Sequence, residues 1–195
     1  MDADDWDERY RAVERVWSVE PNRWVVRETS ALEPGRALDL AAGEGRNAVW
    51  LAGRGWRVDA IDFSPVAVRR IMDAVGSDQK SVRATVADAT RYIPEEAAYD
   101  LVLISYLQLP RQDMAAVLAS ACRAVRPGGT LLLVGHDAGN LEHGTGGPKD
   151  ARVLSSVEFV REAWEPCADL VVAEVAHRPV GEAEALDTVV RAVRR

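Results

Sequence analysis

Gly43 and Gly45 lie between Asp39 and Asp62 in the stretch RALDLAAGEGRNAVWLAGRGWRVDAID, residues 36–62. Gly43 and Gly45 can bring backbone N–H groups close to a ligand, because glycine has no Cβ to block the approach. Asp62 closes the stretch, about where an acid binds ribose hydroxyls in nucleotide-binding α/β folds. The spacing therefore predicts a site for a nucleoside that has a free ribose.

One βαβ unit must position these residues. Apolar runs at 37–41 and 58–61 predict two buried strands, and apolar residues at helical spacing between them predict a helix. Arg46 occupies the place of the third glycine in the dinucleotide fingerprint G-x-G-x-x-G, where tight packing beside a pyrophosphate suits glycine and not a long cation. The dinucleotide fingerprint therefore fits this turn poorly.

The acid-x-Ala-x-Gly-x-Gly pattern from Asp39 to Gly45 resembles motif I of the class I S-adenosylmethionine-dependent methyltransferases, with Ala41 in place of the first glycine. The longer string DLAAGEGRNAVWLAGRGWRVDAIDFSP is similar to the small bacterial methyltransferases of the tellurite-resistance and thiopurine-methyltransferase-like group. In that group a GEGRN-type turn and a D-x-S-P after the second strand recur. The helix, R-P-G-G, strand order around 126–129 is a further shared feature, and the resemblance covers the chain from about Trp6 onward.

The resemblance implies an α/β fold with a Rossmann-like, seven-stranded, mostly parallel sheet, whose last strand runs antiparallel between the fifth and sixth. Beyond the first unit, the apolar patterns predict strands at 81–87, 99–106, 130–135, 170–180 and 186–193. Helices are predicted at 4–17, from about 21 to 33, and at 65–75, 112–125 and 155–164. We expect a single domain over 1–195, with an N-terminal helical lid at 1–34 and a nucleotide-binding core at 35–195.

The cofactor that the resemblance implies is S-adenosylmethionine. Asp88 would accept a hydrogen bond from the adenine amine, or it is a solvated loop aspartate of the kind that is common after strands. Arg46 or Arg23 would hold the cofactor carboxylate, unless each forms only a surface ion pair. The N-terminal tryptophans would either face the sulfonium through cation–π attraction or simply pack on the sheet. The cofactor-binding candidates are Asp39, Ala41, Gly43, Gly45, Arg46, Asp62, Phe63, Asp88, Ala89, Ser105, Arg23 and Trp24.

Tyr106 and His136 follow the fourth and fifth strands, at the edge where open α/β sheets bind ligands. Methyl transfer from a sulfonium needs alignment in a dry site and no nucleophilic side chain. A thiol or chalcogenide acceptor needs no dedicated base, whereas for an alcohol or amine the candidates are His136 and Tyr106. The glycine-rich loop after His136, which contains His143, is either a disordered connection or a substrate lid. His177-Arg178 resembles a polar pair near the active site of tellurite-resistance methyltransferases, or it is an exposed hairpin end.

The chain is acidic, with a net charge of −7, which argues against a nucleic-acid surface and favours a small-molecule acceptor. Cys122 and Cys167 lack metal-ligand spacing and are expected to be structural thiols, and no metal site is predicted. The N-terminus has no apolar leader, and no run approaches the about 18 apolar residues of a membrane span. We therefore expect a cytoplasmic monomer or homodimer without a membrane segment.

Two other classes of protein function are compatible with the same βαβ unit. A non-catalytic cofactor-binding or interaction protein remains open, because a fold does not fix a function. A nicotinamide-dependent oxidoreductase would share the βαβ unit, but it would want glycine at position 46 and a catalytic pair such as Tyr-x-x-x-Lys, which the chain lacks.

Overall fold

Seven strands form one sheet in the computed structural model, which describes residues 3–76 and 81–195. The strand order is β3-β2-β1-β4-β5-β7-β6. Neighbouring strands from β1 to β5 pair in parallel, and β7 is antiparallel to both β5 and β6, so the predicted fold class and the predicted place of the last strand are confirmed. The strands are β1 (Arg36–Leu40), β2 (Arg57–Asp62), β3 (Val82–Val86), β4 (Tyr99–Ser105), β5 (Val125–His136), β6 (Ala168–Val180) and β7 (Ala183–Arg194).

Helices cover both faces of this sheet, as expected for parallel strands joined by crossovers. The helices are α1 (Ala3–Ala12), α2 (Arg23–Thr29), α3 (Arg46–Gly53), α4 (Pro65–Val75), α5 (Arg111–Ala124), α6 (Asn140–His143) and α7 (Val157–Trp164), with a short 3-10 helix at Ala151–Val153. None of the helices in the described ranges is long and apolar enough to cross a membrane.

The two apolar layers follow from side-chain alternation along the central strands. Leu38 and Leu40 of β1 pack in one buried cluster with Leu118 of α5 and Trp164 of α7. Ala37 belongs to a second cluster with apolar residues of α3 and α4. Because β1 and β4 are neighbours and the chain extends from them in opposite directions, their carboxyl ends form the switch point at which open α/β sheets bind ligands.

The first two helices differ from the prediction. Helix α1 ends at Ala12, and Trp17 lies beyond it. Helix α2 begins at Arg23, one residue after Asn22, whose side chain accepts hydrogen bonds from the N–H groups of Trp24 and Val25. The tryptophan spacing predicted one long helix, but the N–H groups of Val16 and Trp17 bind the side chain of Glu44.

Other boundaries agree with the sequence signals. Ser64 caps α4 by accepting from the N–H of Ala67 at 3.0 Å, Pro65 is its first residue and Gly76 follows its end. The R-P-G-G stretch, expected between a helix and the fifth strand, is instead the irregular start of β5. The pairing register with β4 shifts there, between Tyr99 and Leu101.

Cys122 and Cys167 form a disulfide, so the expectation of two structural thiols is wrong. Their Cα atoms are 6.7 Å apart because α5 and the end of α7 pack side by side on one face of the sheet. The residues are 45 positions apart in the chain, and no local sequence signal reports that proximity. A loop of that length gives a chain-entropy stabilisation of about 4 kcal/mol.

The glycine turn supplies a stability test. Gly45 has φ +80, and a Cβ there would lie 2.7 Å from Cγ1 of Ile71. Gly45→Ala should therefore lower the free energy of unfolding by about 2–4 kcal/mol, from left-handed backbone strain and a clash in the core. The measurement is equilibrium unfolding in urea.

The matched control is Gly53→Ala, because nothing lies within 4 Å of a Cβ at that helical position. It should stabilise the fold by up to about 1 kcal/mol. Ala41 itself adopts φ +60, so Ala41→Gly should be neutral or stabilising by up to about 1 kcal/mol. Equal losses for the two alanine substitutions would contradict this account of the turn.

Candidate functional site

A cavity of about 880 Å³ opens at the carboxyl edge of the sheet, above β1, β2 and β4. Its wall combines the glycine turn, the N-terminal segment, the end of β4 and the loop that follows β5. This volume lies at the upper end of the about 300–1,000 Å³ typical of small-molecule sites. The cavity is large enough for a nucleoside cofactor and a second, smaller ligand.

Most of the candidate residues line this cavity. Asp39, Gly45 and Trp24 are the exceptions. The candidates in the wall are Ala41, Gly43, Arg46, Asp62, Phe63, Asp88, Ala89, Ser105, Arg23, Tyr106 and His136.

Asp62 fixes the shape of the turn. One carboxylate oxygen accepts the N–H of Gly43 at 2.8 Å, and the other accepts the N–H of Ser64 at 2.9 Å. Burial raises the pKa of Asp62, although the two backbone N–H groups oppose this effect. Each oxygen keeps a second lone pair, so the carboxylate can accept from ribose hydroxyls while it holds the turn.

Asp39 is a buried carboxylate whose two oxygens have no hydrogen-bond partner. Burial, with repulsion from Asp62, raises the pKa of Asp39 to about 7, and Arg46 offsets part of that rise. An unpaired buried acid is costly unless a ligand neutralises it. The ammonium group of S-adenosylmethionine would supply the missing positive charge, so this observation fits the cofactor that the resemblance implies.

Arg46 opens helix α3 and lies in the cavity wall. Its Nη1 is 3.5 Å from Oγ of Ser18. Burial lowers the pKa of Arg46, and the neighbouring Tyr106 and Asp39 oppose this effect. Arg23 is exposed and lies over the ring of Trp24, 5.7 Å from its centroid. Neither guanidinium is shown in an ion pair, and whether either holds the cofactor carboxylate stays a prediction.

Glu44 attaches the N-terminal segment to the turn. Its Oε2 accepts the N–H groups of Val16 and Trp17 at 3.0 and 2.9 Å, and its Oε1 accepts from Arg70 at 2.5 Å. Arg70 also donates to the carbonyls of Tyr10 and Val13. These bonds occupy N–H groups of Val16 and Trp17 and carbonyl groups of Tyr10 and Val13 that a longer α1 would use for its own hydrogen bonds.

Aromatic side chains of the N-terminal segment cover the glycine turn. A Cβ at Gly43 would lie 3.3 Å from the hydroxyl of Tyr10 and 3.6 Å from Nε1 of Trp17. Trp6 packs against both of these rings, with centroids 5.6 and 6.1 Å away. Asp7 anchors the same segment to the start of α4 through Ser64. The missing Cβ at Gly43 therefore leaves a narrow space between the turn and its aromatic cover.

Asp88 lies past β3, at the other side of the cavity. Its Oδ1 accepts from both the N–H and the hydroxyl of Thr90, at 2.8 and 2.7 Å. Oδ2 lies 3.9 Å from Nε of Arg91, in an exposed ion pair. The contact with an adenine amine stays a prediction.

Asp187 of β7 joins the elements on the far side of the cavity, and the sequence patterns did not identify it. It is completely buried. Its Oδ2 accepts from Nε1 of Trp24 at 2.9 Å, the hydroxyl of Tyr106 at 2.9 Å and Nε of Arg178 at 2.7 Å. Nδ1 of His136 lies 3.5 Å from Oδ1.

Tyr106 and His136, the two predicted catalytic residues, are brought together, with ring centroids 4.7 Å apart. Burial and the neighbouring Asp187 raise the pKa of Tyr106 to about 12. Burial lowers the pKa of His136, and Arg178 adds to this effect while Asp187 opposes it. Tyr106 is therefore a neutral phenol, and His136 is a neutral imidazole near pH 7.

The other two histidines lie outside the cavity wall. His143 is exposed beside Glu142, and His177 is exposed beside Glu184. Arg178 lines the cavity, so only the second member of the His177-Arg178 pair faces the candidate site. In the described ranges, no three His, Cys, Asp or Glu side chains are grouped to hold a metal ion.

The loop after β5 has a defined structure. Asp137 accepts from Thr188 at 2.6 Å and from the N–H of Gly139 at 2.8 Å. Asn140 accepts the N–H of Leu186 at 2.7 Å and donates to the carbonyl of Gly146 at 2.9 Å. These bonds argue against a disordered connection, and the substrate lid stays a prediction.

Residues 37–129 match a family model described as a methyltransferase domain. A demethylmenaquinone methyltransferase of Deinococcus radiodurans is 32% identical over 132 residues, which is 65% of this chain and 55% of that protein. The chain spans between about a third and about half of the lengths of the curated relatives that it matches.

Solved structures share the fold at low sequence identity. One match is a structure titled for the conversion of a disulfide bond into a thioacetal group during echinomycin biosynthesis. Its TM-score is 0.78 at 21% sequence identity, and the alignment covers 98% of this chain and 91% of that one. TehB from Haemophilus influenzae has a TM-score of 0.76 and 14% identity, over 97% of this chain and 66% of that one. At these identities the likeness supports the fold and does not assign the chain to a subgroup.

The unpaired state of Asp39 predicts how stability depends on pH. Because its pKa is raised in the folded state, the folded protein holds the proton more tightly, and its stability falls as the pH rises from about 4 to 7. Asp39→Asn removes this titration. We take the free energy of unfolding of the variant minus that of the original protein, both without added cofactor. This difference should be about 2–3 kcal/mol more positive at pH 8 than at pH 5.

Urea unfolding at several pH values measures this difference. Comparing one variant at two pH values cancels the fixed cost of burying an amide. Asp73→Asn, at an exposed position of the same fold, is the control for exchanging a carboxylate that is not buried. Parallel pH curves for Asp39→Asn and the original protein would contradict a raised pKa at Asp39.

Proposed function

We propose that this chain is a class I S-adenosylmethionine-dependent methyltransferase domain and that it transfers a methyl group to a small acceptor inside the cavity. The observation that carries the proposal is one continuous cavity that joins the glycine turn to Tyr106 and His136. One end offers groups that suit a nucleoside with a charged amino-acid tail. The other end offers groups that suit a polar acceptor.

The residues around the turn would bind the cofactor. Asp62 would accept from the ribose, and Asp39 would balance the ammonium group. The backbone from Ala41 to Gly43 would pass close to the amino-acid end, beneath the aromatic cover. Phe63, Asp88 and Ala89 would contact the adenine, because they follow β2 and β3 along the same edge of the sheet.

S-adenosylmethionine supplies, when bound, a methyl group on a sulfonium whose departure leaves a neutral thioether. The chain has to align the acceptor with that methyl group and exclude water. Alignment alone can account for about 7–11 kcal/mol of the barrier. The N-terminal segment and the loop from His136 to Lys149 would act as two covers over the acceptor, since residues of both line the cavity.

The chemistry of the acceptor is the finer part of the proposal. A thiol, a chalcogenide or another small metabolite would fit between the Trp17 region, Tyr106 and the loop. The overall acidity of the chain disfavours a nucleic-acid substrate. The first test is the formation of S-adenosylhomocysteine with a panel of thiols, phenols and quinols, and binding of the cofactor without turnover would instead support a non-catalytic cofactor-binding protein.

The cofactor end is tested by Asp62→Ala. Loss of charge-assisted hydrogen bonds to two hydroxyls should weaken binding of S-adenosylhomocysteine by about 10- to 150-fold, equivalent to about 1.5–3 kcal/mol. Isothermal titration calorimetry measures the dissociation constant. Ser64→Ala is the control, because it loosens the same corner without removing the ribose partner. Equal losses of affinity in the two variants would remove Asp62 from the ribose contact.

Deleting residues 1–20 tests the N-terminal cover. The truncated protein should still bind the cofactor but lose methyl transfer, because water enters and the acceptor loses its alignment. Product formation and calorimetry on the same sample measure the two effects. Full transfer activity after the deletion, or a preference of the intact chain for RNA, would overturn the proposed enclosure.

A point variant separates the cover from the cavity wall. Arg70 lies outside the wall and bonds to two carbonyls of the N-terminal segment, so Arg70→Met should loosen the cover. We expect kcat to fall by at least about tenfold, while the cofactor dissociation constant changes by less than about threefold. Arg69→Met, at the exposed neighbouring position on α4, should change neither value. Equal kcat values for the two variants would show that these bonds do not serve the reaction.

A further inference from the structure

The two oxygens of Asp187 are satisfied to different degrees. Oδ2 accepts from three donors within 2.9 Å, on Trp24, Tyr106 and Arg178. Oδ1 has only two long contacts, each of 3.5 Å, with Nη2 of Arg178 and Nδ1 of His136. A buried carboxylate oxygen is strongly stabilised by a nearby donor. Oδ1 is therefore the oxygen with room for one more hydrogen bond.

Nδ1 of His136 is also buried and without a hydrogen-bond partner at ordinary distance. Asp187 is the acid that faces it, and a 0.5 Å approach would make a normal hydrogen bond. The ring is held in this position from two sides. Tyr106 packs against it with an angle of 54° between the ring planes, and the backbone at Gly147 is so close that a Cβ there would lie 2.9 Å from the ring.

Asp187 also distinguishes between the two catalytic candidates. The hydroxyl proton of Tyr106 is donated to Asp187, and the pKa of Tyr106 is raised to about 12, so this phenol does not accept a proton near neutral pH. His136 has a lowered pKa and is neutral under the same conditions. The charged and titratable groups that face it are Asp187 of β7, Arg178 of β6 and Tyr106 after β4.

Building on the proposed function, we propose that Asp187 holds His136 with its proton on Nδ1, so that Nε2 accepts a proton from the methyl acceptor. The acceptor is then a small molecule whose nucleophilic oxygen or nitrogen still carries a proton when it binds. A thiolate or chalcogenide, which arrives already ionised, would not need this pair. His136 is the catalytic residue in this assignment, and Asp187 is a positioning residue.

The transfer step balances without a further reactant. The acceptor oxygen or nitrogen forms a bond to the methyl carbon, and the carbon–sulfur bond breaks with its electron pair left on sulfur. The proton of the acceptor passes to Nε2 of His136. The imidazolium that results lies beside the carboxylate of Asp187, which stabilises its charge, and the proton leaves to water when the products are released.

The tautomer of His136 can be observed directly. In ¹⁵N-histidine NMR at pH 7.5, we expect a neutral ring with the proton on Nδ1, assigned by the signals that His136→Gln removes. The sequence has three histidines, so the assignment is simple. A proton on Nε2, or a charged imidazolium, would overturn the proposal, and this measurement does not depend on turnover.

Asp187→Asn should invert the tautomer. The amide oxygen is expected to face the three donors that now bind Oδ2, which turns the amide NH₂ group toward His136. Nδ1 must then accept, and the proton moves to Nε2. Tyr106→Phe is the comparison variant, because it removes one donor to Asp187 and should leave the proton on Nδ1. Retained dispersion of the NMR spectrum and retained cofactor binding confirm that each variant is folded.

Activity with two probe acceptors tests the acceptor class. Phenol keeps its proton at pH 7.5, whereas thiophenol is ionised. His136→Gln and Asp187→Asn should each lower kcat for phenol by at least about 100-fold and for thiophenol by less than about fivefold. Tyr106→Phe should reduce kcat for phenol far less than His136→Gln does.

The outcomes separate this inference from the proposed function. Equal losses with both acceptors, or turnover of thiophenol alone by the unmodified protein, would overturn the inference and leave methyl transfer intact. Formation of S-adenosylhomocysteine from neither acceptor, nor from the wider panel, would count against both. In that case the NMR result still decides whether the Asp187–His136 pair exists.

Discussion

Buried carboxylates and their compensation determine the arrangement of this site. Asp39, Glu44, Asp62 and Asp187 are all nearly inaccessible to water. Removing a carboxylate from water is expensive unless donors or cations replace the hydration. Glu44 is compensated by the N-terminal segment and by Arg70, Asp62 by the N–H groups of the turn, and Asp187 by side chains from three other elements. Asp39 alone of the four has no donor, which makes it the place where a cationic ligand group would contribute the most.

The parts of the site that the sequence predicted are those built by local patterns. The run from Asp39 to Ser64 contains the strand, the turn, the helix and the capping residue, so the contacts of Asp62 with Gly43 and Ser64 lie within one βαβ unit. Even the alanine that departs from the motif I pattern takes a left-handed backbone, because the neighbouring structure determines the conformation of the turn.

The parts that the sequence did not predict depend on contacts between distant segments. Asp187 belongs to the alternating run LDTVVRAV, where a polar residue normally indicates a solvent-facing side of a strand. Its partners include Tyr106 and Trp24, 81 and 163 positions away in the chain. The disulfide was missed for the same reason, and so was the early end of α1. The sequence did contain one indication for Asp187. The last strand was expected to lie between two others, so an acidic side chain in it would be buried and would need hydrogen-bond donors from the protein.

The buried carboxylates at the two ends of the cavity differ in whether the protein supplies their hydrogen-bond donors. At the acceptor end Asp187 is satisfied by protein donors, which stabilise the fold and fix Tyr106 and Arg178 before any ligand binds. At the cofactor end Asp39 is unsatisfied and Ala41 is in a left-handed conformation, so the fold is less stable there than it could be. A ligand that neutralises Asp39 regains part of that free energy on binding. We infer that the cofactor end gains affinity from this uncompensated charge, whereas the acceptor end gains precision from donors that are already in place.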